Sequence, residues 1–195
     1  MKMDDFMLYC KMGLNHVLDF SAYDHILFLI VLAVVFSYYE LKKLLWLVTL
    51  FTLGHSITLA LSAYGVLNIS MDLIEFLIPL TIFITGVINI VNSNKKLAKK
   101  DNTNLILALF FGLIHGLGFS NYFKMMIGQQ EDKILPLIEF ALGIELAQII
   151  IVFGIIFLGL VFQNFLKVTK RDWILVCSSI VIGFAIQMMT ERVFW

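Results

Sequence analysis

Six long stretches with few charges dominate the chain, at about 22–39, 44–64, 72–92, 103–120, 136–164 and 172–194. The hydrocarbon core of a bilayer is about 30 Å thick and takes roughly 20 apolar residues of helix to cross. In lipid the backbone must satisfy its own hydrogen bonds, so a run of this kind has to be a helix. The expectation is an all-α integral membrane protein, a bundle of six transmembrane helices forming one domain over residues 1–195. The first twenty residues are mixed in polarity and too short to span, which suggests an amphipathic or re-entrant segment at one membrane face.

Composition agrees. Of 195 residues 61% are hydrophobic and 14% charged, against about 45–50% and about 25% in soluble domains. That leaves too little polar surface to cover a globule in water. The formal net charge is zero, so nothing points to nucleic acid; the partners implied are lipid and a small ion, with room for a homo-oligomer. Cys10 and Cys177 are too far apart for a local metal or redox motif and read as free thiols. The opening residues lack the pattern of a removable signal peptide.

Basic residues set an orientation. Lys42, Lys43, Lys95, Lys96, Lys99, Lys100, Lys167, Lys170 and Arg171 fall in loops on one side of the six-helix arrangement, and Lys2, Lys11, Lys124, Lys133 and Arg192 on the other. Cytoplasmic loops carry the excess of Lys and Arg, which puts both termini outside, in the periplasmic sense. Counting about 1.5 Å per residue then puts every intramembrane titratable group between the outer surface and mid-bilayer. Asp24 and His25 start the first span, His55 sits near the middle of the second, Glu75 opens the third, His115 is in the outer part of the fourth, and Glu139 and Glu145 in that of the fifth.

Titratable groups in hydrocarbon face a partner or a wet cavity. All four histidines, His16, His25, His55 and His115, belong to this layer, with Asp24 beside them. Imidazole and carboxylate together suit a first-row divalent ion, so His16, Asp24, His25, His55 and His115 form the candidate metal set. In the second span Thr52, His55, Ser56, Leu59 and Ser62 repeat at helical spacing as one stripe. In the fourth, Gly112 and Gly116 permit a close neighbour and bring His115 toward it. Each histidine also has a plainer reading as a hydrogen-bonded contact between helices, and Asp24 as a helix N-terminal charge. The aromatic residues, 18 Phe among them, read as lipid-facing and packing groups.

Several of these stretches carry a resemblance. "GLNHVLDFSAYDHILFLIVL" (13–32), "FTLGHSITL" (51–59), "FGLIHGLGF" (111–119) and "FALGIELAQ" (140–148) resemble the HupE/UreJ family of hydrogenase and urease accessory membrane proteins, over about residues 13–150. His16, Asp24, His25, His55, Glu75, His115 and Glu145 match that family's motif histidines and acids. Ala141 stands where the family usually has asparagine, and the stretch from His16 to His25 lacks the proline and glycine of a nickel-permease branch. The resemblance implies a metal permease of the cytoplasmic (inner) membrane, for Ni²⁺ first of all, related to metalloenzyme maturation.

Two functions of different kind follow. The first is uptake of Ni²⁺, or Co²⁺, through an outer His/Asp site. The inner half offers such an ion only Asn89, Thr49 and Ser37, with no titratable relay. The second is a membrane-embedded Zn²⁺-dependent hydrolase open to the outer leaflet, in which Glu75 or Glu145 is the general base and Ser56 polarises a carbonyl. A non-catalytic metal sensor or assembly partner is a third option.

Overall fold

The computed structural model describes residues 3–19, 23–67, 69–94, 103–128 and 133–194. Among them there are helices and no strands: α1 (Met3–Leu18), α2 (Asp24–Ala33), α3 (Leu41–Ala63), α4 (Met71–Asn92), α5 (Thr103–Gly118), α6 (Ser120–Ile127), α7 (Ile134–Asn164) and α8 (Lys170–Glu191). A 3₁₀ turn, Tyr38–Glu40, leads into α3. Four helices are long and apolar enough to cross a bilayer: α3 with its leading turn, α4, α7 and α8. α5 and α6, bent by 55° at their junction, make a fifth if taken as one span. Large apolar side chains on these helices, such as Trp46, Phe110, Ile150, Phe157 and Ile180, are exposed, as lipid-facing residues are. The protein is a multi-pass membrane protein.

The sixth expected span, about 22–39, takes a different form. α2 has ten residues, about 15 Å of rise, or half of a hydrocarbon core of about 30 Å. The apolar run continues to Phe36, but Ser37-Tyr-Tyr-Glu40 starts a new turn. The Glu40 carboxylate reaches back to the Ser37 N–H at 3.1 Å and the Ser37 hydroxyl at 2.9 Å, the glutamate half of a capping box. The end of α2 leaves carbonyls without intrahelical donors, and distant residues supply them. Asn89 Nδ2 on α4 donates to the Val31 carbonyl at 2.6 Å, and Lys170 Nζ on α8 donates to that of Phe36.

Glycines decide how closely two pairs of helices approach. A Cβ on Gly112 would lie 2.2 Å from the Phe51 carbonyl oxygen, and one on Gly116 2.2 Å from that of His55. So α5 lies backbone against backbone on α3. The second pair is α1 and α7: a Cβ on Gly13 would meet the Phe140 oxygen at 2.1 Å, and one on Gly143 the Cys10 oxygen at 2.0 Å. The N-terminal segment is thus packed into the bundle. His16 lies beside Phe140 while Cys10, earlier in α1, meets Gly143, later in α7. The two helices therefore run antiparallel.

The bundle consequently has two distinct ends. One gathers the C-termini of α1, α3, α5 and α8 with the N-termini of α2, α4 and α7: Lys133 Nζ donates to the Ala63 carbonyl at 3.0 Å and Arg192 to that of Glu75 at 3.4 Å. The other holds the end of α2 and the starts of α3 and α8, with Lys42, Lys43, Lys167, Lys170 and Arg171. Because α1 runs antiparallel to α7, Met3 points toward this basic end. Lys2, Lys95, Lys96, Lys99 and Lys100 lie outside the described residues.

Candidate metal centre

His16 comes from the last turn of α1, His25 from the first turn of α2, His55 from the middle of α3 and His115 from the last turn of α5. Four separate helices thus bring every histidine of the chain to one place. Ring centroids are 4.7 Å apart for His16 and His25, 5.8 Å for His25 and His55, 5.9 Å for His16 and His55, and 5.4 Å for His25 and His115. His16, His25 and His55 each offer one nitrogen such that the three lie within 4.8 Å of one another.

The hydrogen bonds fix how two of the rings are turned. The Asp24 carboxylate Oδ1 lies 2.9 Å from His25 Nδ1 and accepts from the His25 backbone N–H at 2.7 Å. His115 Nδ1 lies 2.9 Å from the Phe111 carbonyl oxygen. A carbonyl only accepts, so that nitrogen carries the proton; beside an ionised carboxylate His25 Nδ1 does the same. The Nε2 of each is then a lone-pair donor turned away from its partner. The buried Nε2 atoms of His16, His25 and His115, and both ring nitrogens of His55, have no hydrogen-bond partner. A buried polar atom left this way costs about 1–3 kcal/mol, so so many in one cluster call for an explanation by function.

A cleft of about 920 Å³ opens from the α1–α5–α8 end and reaches His16, Asp24, His25 and His115. Asp19, Glu75, Tyr122 and Arg192 also line it. His55, fully buried, is set behind the others. Since α2 covers only half a bilayer, Asp24 and His25 are the floor of this cleft, where the uninterrupted span expected over 22–39 had put them at the outer rim. Directly behind lies an aromatic layer. Phe28 stacks on Phe51 with centroids 4.6 Å apart, and His115 lies 5.3 Å from Phe28 and 5.0 Å from Phe51. Beyond it a void of about 60 Å³ is lined by Phe28, Phe111, Thr85 and Asn89 among others. The sequence reading missed this layer, treating the phenylalanines as generic packing; their helical spacing carries no signal that sets them apart.

The remaining candidates are dispersed. Glu75 is exposed and faces the cleft. Ser56 is half-buried and not among the cleft-lining residues. Glu145 is held between α7 and α3: the hydroxyls of Thr49 and Thr52 donate to its two carboxylate oxygens at 2.6 and 2.5 Å. Cys10 and Cys177 are free thiols.

Residues 1–192 match the family described as HupE / UreJ protein. The chain belongs to the HupE/UreJ family. No curated relative and no solved structure matches it. The HupE/UreJ match takes in α1 and α8 as well as the stretch 13–150 on which the resemblance rested, so the helix that delivers His16 lies within the matched region.

Proposed function

We propose that the protein carries a borderline divalent cation, Ni²⁺ or Co²⁺, across the cytoplasmic membrane, with the histidine cluster as its binding station. The observation that supports this most is the convergence of unpartnered imidazole nitrogens from four helices at the floor of a cleft. Neutral imidazole suits nickel and cobalt. Donors about 2.0–2.1 Å from a first-row ion lie roughly 3–3.5 Å apart, so the 4.8 Å spread of the His16, His25 and His55 nitrogens closes by about 1.5 Å when the ion is held. His25 and His115 are the pre-oriented ligands, Asp24 and the Phe111 carbonyl fixing their tautomers. Asp24 then positions His25 and supplies negative charge to the cleft floor. The excess of basic residues at the opposite end supports an orientation with the cleft and the C-terminus outside. On this reading the antiparallel course of α1 leaves its first turn toward the inner side, whereas the sequence expectation has both termini outside.

Membrane-embedded hydrolysis is the second reading. It draws on the cleft, which is far larger than an ion needs, and on Glu75 in its wall. Cells expressing the protein and grown in trace ⁶³Ni²⁺ separate the two. Transport raises accumulated nickel, and His25→Ala or His115→Ala returns it to the level of cells without the protein. Purified protein that binds the metal without raising accumulation would sink the transport reading.

A further inference from the structure

The histidine cluster continues, away from the cleft, into a line of oxygen donors. On α3, His55, Thr52 and Thr49 follow at intervals of three residues, about 4.5 Å of rise each, toward the basic end. On the antiparallel α7, Phe140 lies beside the His16 and His55 rings, and Glu145 and Gln148 follow in the same direction. The two lines meet. The Thr49 and Thr52 hydroxyls contact the two Glu145 oxygens at 2.6 and 2.5 Å, and Thr52 Oγ1 lies 3.0 Å from Gln148 Oε1.

Around Thr52 the acceptors outnumber the hydrogens. Thr52 has one hydroxyl hydrogen and three acceptors around it, Val48 O at 3.3 Å, Glu145 Oε2 and Gln148 Oε1. Gln148 is completely buried, and its Nε2 has no partner. Turning the amide over gives Thr52 an N–H but leaves the carbonyl oxygen unpartnered instead. In either orientation one buried amide atom of Gln148 is left unsatisfied.

We propose that Glu145, Thr52, Thr49 and Gln148 form a second cation station, made only of oxygen donors, which takes the divalent ion from the histidines on its way inward. This rests on the transport reading. Oxygen ligands hold nickel or cobalt less tightly than imidazole, and conduction needs sites that bind strongly enough to fill and weakly enough to empty. A step from nitrogen to oxygen donors supplies that descent. The station also brings Glu145, set by the sequence in the outer part of its span, level with Thr49, set in the inner half.

The test is equilibrium dialysis of the purified full-length protein against Co²⁺, with bound metal counted and its visible absorption recorded. The wild type is expected to bind two equivalents, the second at least 10-fold weaker and with the faint spectrum of oxygen coordination. Glu145→Gln keeps the tight equivalent and loses the weak one; His25→Ala with His55→Ala does the reverse. Should Glu145→Gln fail to fold, Thr52→Val against Thr52→Ser repeats the comparison, only the valine losing the weak equivalent. A wild type saturating at one tight equivalent overturns the second station and leaves the histidine reading standing. A weak equivalent without a tight one overturns the histidine reading instead, and no binding at all overturns both.

Discussion

At the scale of single residues the informative contrast is between Asp24 and His25. One Asp24 oxygen is committed twice to its neighbour, through the ring and through the backbone N–H. Outer partners of this kind typically change metal affinity 10–100-fold when removed, without abolishing binding. Asp24→Asn is therefore expected to weaken Ni²⁺ binding by about 10–100-fold, whereas His25→Ala removes the tight equivalent; titration calorimetry on the purified variants measures both. Equal losses would make Asp24 a ligand in its own right. The sequence already placed these two residues together at a helix start, and the helical spacing of His55 with Thr52 was visible too. What it could not supply was the direction of each ring. That depends on which nitrogen finds an acceptor, and for His115 the acceptor is a carbonyl four residues back.

Among the elements, the α3–α5 pair was the most legible. Gly112, His115 and Gly116 lie on one face in the sequence, and the backbone contact with Phe51 and His55 is what that face permits. Gly116→Val drives its side chain into the His55 carbonyl and the Thr58 hydroxyl, 2.2 and 2.4 Å from where a Cβ would sit. Overpacking of this kind costs about 1–3 kcal/mol, and the helix separation it forces displaces both His55 and His115. Gly154→Ala, on α7 where a Cβ meets nothing within 4 Å, is expected to be neutral or stabilising by up to about 1 kcal/mol. Thermal melts of the two variants in detergent give the comparison; an unchanged midpoint for Gly116→Val would mean that α5 can lift from α3 without cost. The length of α2 was far less legible. Its stop is announced locally by Ser37 and Glu40, a pattern that an uninterrupted apolar run overrides when hydropathy alone is read. Asn89, which catches the Val31 carbonyl in its last turn, and Lys170, which catches that of Phe36 just beyond it, stand 58 and 134 positions away from them. The close packing of α1 on α7 is equally non-local, since Gly13 carries meaning only once Gly143 faces it.

For the whole molecule, two different ends imply an orientation that labelling can check. In a background with Cys10→Ser and Cys177→Ser, a thiol reagent that cannot cross the membrane is expected to modify Tyr122→Cys, on the cleft end, in intact cells. Lys42→Cys, exposed at the basic end, should react only after the membrane is opened; the reverse pattern would turn the protein over. The orientation matters because of the half-length helix. If the cleft above Asp24 and His25 opens outward and admits water, it extends the outer solution electrically, and the membrane potential falls mainly across the remaining dry layer, about 15 Å along α2. On the transport reading an ion reaching the histidines has crossed little of the voltage, and nearly all of it remains to act on the step inward toward Thr52 and Glu145. For a divalent cation that is roughly 4–5 kcal/mol per 100 mV, inward when the cytoplasm is negative. Filling of the site is thereby almost blind to voltage while emptying is driven by it, and in vesicles an imposed potential would speed uptake without changing the concentration at which it half-saturates.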